Sequence, residues 1–142
     1  MTIQEILRSK GSHVVTISQH RTALDAVMLL VDHNIGGVIV VGAGRPIGIL
    51  TERDILRLTA RAPGRLDSVT VGSVMTRELV TASPDQELHD AMRLMTDNKI
   101  RHLPILDGDQ LVGIMSIGDL VDACRTAAEH ENTHLREYIQ SA

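Results

Sequence analysis

Gly48-Ile49-Leu50-Thr51-Glu52-Arg53-Asp54 returns later in the chain as Gly113-Ile114-Met115-Ser116-Ile117-Gly118-Asp119. Both stretches read glycine, two apolar residues, a hydroxyl residue, two variable positions and an aspartate. The copies lie 65 residues apart, and the same offset lays residues 22–56 on residues 87–121 without a gap. Eight pairs are then identical: Asp25 with Asp90, Ala26 with Ala91, Leu29 with Leu94, Asp32 with Asp97, Ile35 with Ile100, Gly48 with Gly113, Ile49 with Ile114 and Asp54 with Asp119. Most other pairs keep polarity, as in Val40 with Ile105. A repeat of this length marks a duplicated structural unit. A unit of roughly 60 residues with three short strands leaves one sheet face uncovered, so two must pack together. The duplication predicts a pseudo-twofold pair with a cleft between equivalent edges.

Each repeat reads as strand, helix, strand, strand, helix. In the first, Val14 to Ile17 is a short β-branched run, and Ala26, Val27, Leu30 and Val31 take helical spacing between Ala23 and Asp32. Val38 to Val41 reads as a buried strand, residues 42–46 as a hairpin turn, and Ile47 to Leu50 as the returning strand. Thr51 opens a helix to about Ala60. The second repeat gives a strand at Leu79 to Thr81, a helix from Gln86 to Asp97, strands at Leu103 to Leu106 and Leu111 to Met115, and a helix from Ser116. The expected division is a first unit over 1–62 that includes an N-terminal helix, a linker over 63–70, a second unit over 71–127, and a helix or tail over 128–142.

The chain has 142 residues, 43% of them hydrophobic, which suits a folded domain with a sizeable core. No apolar run reaches the ~18 residues of a membrane span, and MTIQEILRSK lacks a signal-like stretch, so a complete, cytoplasmic chain is expected. A formal net charge of −4 argues against nucleic acid as partner. Tyr138 is the lone aromatic residue, which removes base-stacking platforms. Cys124, the single cysteine, excludes an internal disulfide and a cysteine-based zinc site. Arg45, Arg53, Arg57, Arg61 and Arg65 outnumber Glu52 and Asp54 over residues 45–65, a local excess of positive charge that either solvates a helix face or attracts an anionic ligand.

The bland reading of the repeated motif is helix capping: the hydroxyl covers free amides, and the acid three positions later favours the positive helix end. Capping does not explain the glycine before each strand end, the matched placement, or the neighbouring cations. A strand-to-helix turn also offers amides to a phosphate. An adjacent aspartate can accept hydrogen bonds from two ribose hydroxyls. Both chemistries within three residues suit a nucleoside phosphate.

With the motif in both copies, IRHLPIL at Ile100 to Leu106, TERD in the first unit and SIGDLV in the second, the chain resembles a tandem pair of cystathionine-β-synthase-type (CBS) domains, the Bateman module. It is similar to small stand-alone CBS-pair proteins without a catalytic domain, over about residues 1–127. The resemblance implies an α/β (α+β) fold of two βαββα units packed sheet to sheet. It implies ligand sites between them, with Asp54 and Asp119 on ribose hydroxyls and Thr51 and Ser116 near ribose or phosphate. Thr81 and Ile100 to His102 would complete the Asp54 site; Thr16 and Ile35 to Gly37 would complete the Asp119 site. Arg101 and His102 match positions that often contact phosphate in the family. Their counterparts are Gly36 and Gly37, and Arg53 faces Gly118, so the two sites are expected to be unequal. The implied function is a non-catalytic sensor of AMP, ADP, ATP or NAD(H), acting as a homodimer through helical faces on an unknown regulated protein, away from membranes. S-adenosylmethionine fits the same adenosine logic. A structural interaction module without nucleotide is the alternative.

One motif competes. His130-Glu131-Asn132-Thr133-His134 has the spacing of a zinc hydrolase, with two histidines one helical turn apart and a glutamate base. With seven histidines and seven glutamates, chance yields this pattern in roughly one such chain in sixty. Its surroundings are polar and no third ligand follows, so it stays a remote reading. The expectation is therefore no enzyme, no catalytic cofactor and no metal.

Overall fold

The computed structural model describes residues 1–11 and 13–141, with the backbone alone for 130, 132–135, 138 and 141. The elements are α1 (Ile3–Lys10), β1 (Thr16–Ser18), α2 (Ala23–His33), β2 (Gly37–Gly42), β3 (Arg45–Thr51), α3 (Glu52–Arg61), α4 (Val71–Val74), α5 (Leu88–Asn98), β4 (His102–Asp107), β5 (Gln110–Ser116) and α6 (Ile117–Ser141). The fold is mixed α/β, in two units that meet where β3 touches β5. In the first, β1 runs parallel to β2, and β2 antiparallel to β3. In the second, β4 and β5 repeat the hairpin. Both hairpins slip register at the same place, between Val40 and Val41 and between Ile105 and Leu106.

The expected strand at Leu79 to Thr81 does not form; only Ala82 makes a parallel bridge, to Ile105. Pro104 is the physical reason. In the first unit the Ile39 N–H donates to Val15 O at 3.3 Å. Pro104 occupies the matching position and has no N–H to give, so the ladder stops short. The tail over 131–139 continues α6, which runs 25 residues without a glycine or proline after Gly118 to end it.

Each unit buries its own aliphatic core. The first gathers Ile17, Ala26, Leu30, Val38, Val40 and Leu50; the second gathers Ala91, Met95, Leu103, Ile105, Met115 and Leu120. The opening helices complete these cores crosswise. Ile3, Ile6 and Leu7 of α1 belong to the second core, while Val71 and Met75 belong to the first. The two segments are equivalent at a different offset. Leu88 N–H donates to Met1 O at 2.9 Å as Ala23 N–H donates to Val69 O at 2.8 Å, and both Ile3 and Val71 are 0% exposed. Burying a side chain such as Ile3 contributes about 1.5–3 kcal/mol, so the first residues of the chain are part of the second unit's stability.

Candidate functional site

The glycines of the repeated motif make room for those crossed segments. A Cβ on Gly48 would lie 2.6 Å from Met75 Sδ and 2.8 Å from Thr76 O; one on Gly113 would lie 2.7 Å from Leu7 Cδ2. Three residues after each strand's hydroxyl residue the aspartate turns back to cap. Thr51 N–H donates to Asp54 Oδ2 at 3.0 Å, and Ser116 N–H to Asp119 Oδ2 at 2.7 Å. Asp25 and Asp90 do the same for α2 and α5, accepting from Thr22 and Glu87 N–H at 3.2 and 3.0 Å. Glu5 does so for α1, accepting from Thr2 N–H at 2.9 Å, so capping is common to five carboxylates and their surroundings distinguish them.

A cleft of about 440 Å³ opens over Asp54. The first unit supplies Gly36, Ile49, Thr51, Glu52, Arg53, Asp54, Leu56 and Arg57, the second Lys99, Ile100, Arg101 and His102, and Thr76 comes from the segment after α4. Asp54 forms the floor at 8% exposure. Its partners here are neutral donors: beside the Thr51 amide, the Thr51 hydroxyl lies at 3.3 Å, and the Thr76 hydroxyl at 3.2 and 3.3 Å from the two carboxylate oxygens. Arg53, Arg57, Lys99 and Arg101 stand against Glu52 and Asp54, a surplus of two positive charges in the lining. Burial, the largest influence, holds His102 below its ordinary 6.5; Glu52 opposes this, Arg101 adds to it, and Asp119 opposes it. The cleft therefore offers a carboxylate that accepts hydroxyls on its floor and cations along its walls.

His102 also accounts for the unlike sequences at the repeat equivalents. Its ring packs on the backbone of the first unit, where a Cβ on Gly37 would meet Cγ at 3.2 Å and one on Gly36 would meet Nε2 at 3.0 Å and, closer still, Glu52 Oε1. One unit supplies the imidazole and the other the gap that receives it.

Asp119 has a different neighbour. Lys10, at the end of α1, donates from Nζ to Asp119 Oδ2 and to Ile114 O, both at 2.7 Å. Burial works against the Asp119 charge, but hydrogen bonds from Lys10 and Ser116 and the charge of the ammonium hold it below its ordinary 3.8. Of the residues expected from sequence, Thr51, Arg53, Asp54, Ile100, Arg101 and His102 come together in the Asp54 cleft, joined by Gly36. Thr81, expected there too, does not line it, and Thr16, Ile35, Gly37, Ser116 and Asp119, expected around the second motif, lie outside it. Sequence reading missed Thr76 and Lys99. Lys99 is the left-handed C-cap of α5 (φ 53°), where α2 has Asn34 (φ 51°), so the repeat alignment carried the signal as an Asn-to-Lys change.

Among the described residues, no group of three or more His, Cys, Asp or Glu is placed to hold a metal ion. The side chains of His130 and His134 lie outside the described residues. Among the described residues, no helix is long and apolar enough to cross a membrane.

Two units that share one motif at each strand-to-helix turn, with a cleft between them, define a CBS-domain pair. The chain belongs to the CBS-domain family, whose model matches residues 3–61 and again 71–126. It is 40% identical over 133 residues to the CBS domain-containing protein YhcV of Bacillus subtilis (strain 168), covering 87% of this chain and 94% of that one. The crystal structure of a CBS-domain protein from Agrobacterium tumefaciens superposes with a TM-score of 0.83 at 33% identity, over 87% of this chain and 98% of that one. The CBS domain pair of protein MJ0100, solved in complex with 5′-methylthioadenosine and S-adenosyl-L-methionine, gives a TM-score of 0.76 at 25% identity, over 87% of this chain and 98% of that one.

Proposed function

We propose that the chain is a non-catalytic, cytoplasmic sensor that binds an adenine nucleotide, AMP, ADP, ATP or NAD(H), in the Asp54 cleft and reports it to a partner protein. One observation carries this reading: a hydroxyl-accepting carboxylate on the floor of a cleft with a surplus of positive charge in its lining. Asp54 would take the ribose hydroxyls, while Arg53, Arg101 and the other wall cations would face phosphate through charge-assisted bonds. The surplus charge supports a phosphate-bearing ligand over S-adenosylmethionine, whose sulfonium is itself cationic. Because both units line the cleft, a bound ligand favours one arrangement of them, and that coupling is reciprocal with partner binding. Exposed Leu24, Met28 and Val31 on α2, with Met92 on α5 and Val121 on α6, suit homodimerisation through helical faces.

Mass spectrometry of ligand released from the denatured protein, with melting curves in millimolar AMP, ATP and NAD, tests the reading. A ligand bound by the native state raises the melting temperature by mass action. Arg101→Ala should weaken AMP and ATP while sparing adenosine, and the loss should shrink at high salt. Unchanged melts with no ligand already bound would leave a structural interaction module.

A further inference from the structure

In the first unit, Ile49 O accepts from Thr76 N–H at 2.9 Å, and Asp54 accepts from the Thr76 hydroxyl. In the second unit, the equivalent acceptors, Ile114 O and Asp119 Oδ2, are both served by Lys10 Nζ. A single ammonium thus replaces the two donors of Thr76. The cause lies in helix length. α4 stops at Val74, so Thr76 is laid along β3, whereas α1 runs on past Leu7 and delivers Lys10 over Asp119.

The replacement changes what a ligand would have to displace. A ribose hydroxyl can exchange with the Thr76 hydroxyl, neutral for neutral. It cannot match an ammonium on a carboxylate, since charge-assisted hydrogen bonds are roughly twice as strong as neutral ones. We infer that Lys10 is an internal plug on a second, latent ligand site, and that Asp119 accepts a nucleotide's ribose only once Lys10 is withdrawn. This rests on the nucleotide reading of the Asp54 cleft. The ion pair is open to solvent on one side: the side chains of Lys10 and Asp119 are 29% and 24% exposed. Gly11, which follows, has a φ of 95° and open space where a Cβ would be.

The test is calorimetric titration of the full chain with AMP. The wild type should bind one AMP per chain. Lys10→Met, which keeps the apolar stem and removes the charge, should bind two, the second at least roughly tenfold tighter than any second event in the wild type. Lys10→Gln guards against a folding defect specific to methionine, and Lys10→Met with Asp119→Ala should return to one. One AMP in every variant overturns the plug and leaves the Asp54 reading standing, as would two in the wild type. Weaker binding in Lys10→Met would make Lys10 a ligand contact, also against the inference. No AMP bound by any variant removes the nucleotide reading itself and the plug with it.

Discussion

Asp54 and Asp119 sit at the same place in their units, each in the first turn of a helix and each accepting from the amide three residues earlier. Around Asp54 the further donors are the hydroxyls of Thr51 and Thr76, and a cleft opens above it. Around Asp119 the further donor is an ammonium. The motif fixes the cap in both halves, while a segment outside the 65-residue repeat decides whether the carboxylate lines an open cleft or meets a cation. Duplication conserved the scaffold and left the site to be set by what crosses over it.

The largest effect is expected at the crossed helices. Ile3→Ala removes a fully buried side chain from the second core and should cost about 2–5 kcal/mol in urea unfolding, despite lying near the chain's start. A loss under about 0.5 kcal/mol, typical of a surface position, would mean α1 is not part of that core. The glycines sharpen the contrast. Gly48→Ala would press on a backbone oxygen, Thr76 O, whereas Gly113→Ala would press on the methyls of Leu7, which can rotate away. Both should destabilise, by about 1–3 kcal/mol, with Gly48→Ala the costlier. The reverse order would show that β5 and α1 are held more rigidly than β3 and the segment after α4.

A smaller effect should appear with pH. The Asp119 carboxyl lies below its ordinary 3.8 in the folded chain, so the unfolded chain binds that proton first. The Lys10 pair therefore stabilises the fold above about pH 3.8, and this is lost as pH falls through the lowered value. Lys10→Met should flatten part of the acid limb of the melting profile, and Asp54→Asn should leave that part in place. An identical acid limb in wild type and Lys10→Met would show that the pair contributes nothing to stability.

Much of this was legible in the sequence because periodicity and repetition are local. The hairpins, helices expected over 23–32 and 86–97, and both aspartates follow from spacing and repetition. The lost strand before Ala82 was also readable, through Pro104, had its missing N–H been set against Ile39. The crossing of α1 and α4 was not, because those helices match at a different offset from the rest and share no motif. Lys10 and Thr76 were hidden for the same reason. Each reaches its aspartate through tertiary packing, 109 and 22 residues away in sequence.

We propose that the cleft over Asp54, and not its repeat over Asp119, holds the nucleotide in the wild-type chain. Calorimetric titration of AMP into Asp54→Ala and Asp119→Ala, each first shown to be folded by its melt, tests it directly. Loss of a charged hydrogen bond to ribose should weaken AMP by roughly tenfold to a hundredfold in Asp54→Ala. Asp119→Ala should stay within about twofold of wild type, as expected of an independent position. Unchanged affinity in Asp54→Ala, with the loss falling on Asp119→Ala, would place the nucleotide at Asp119 instead.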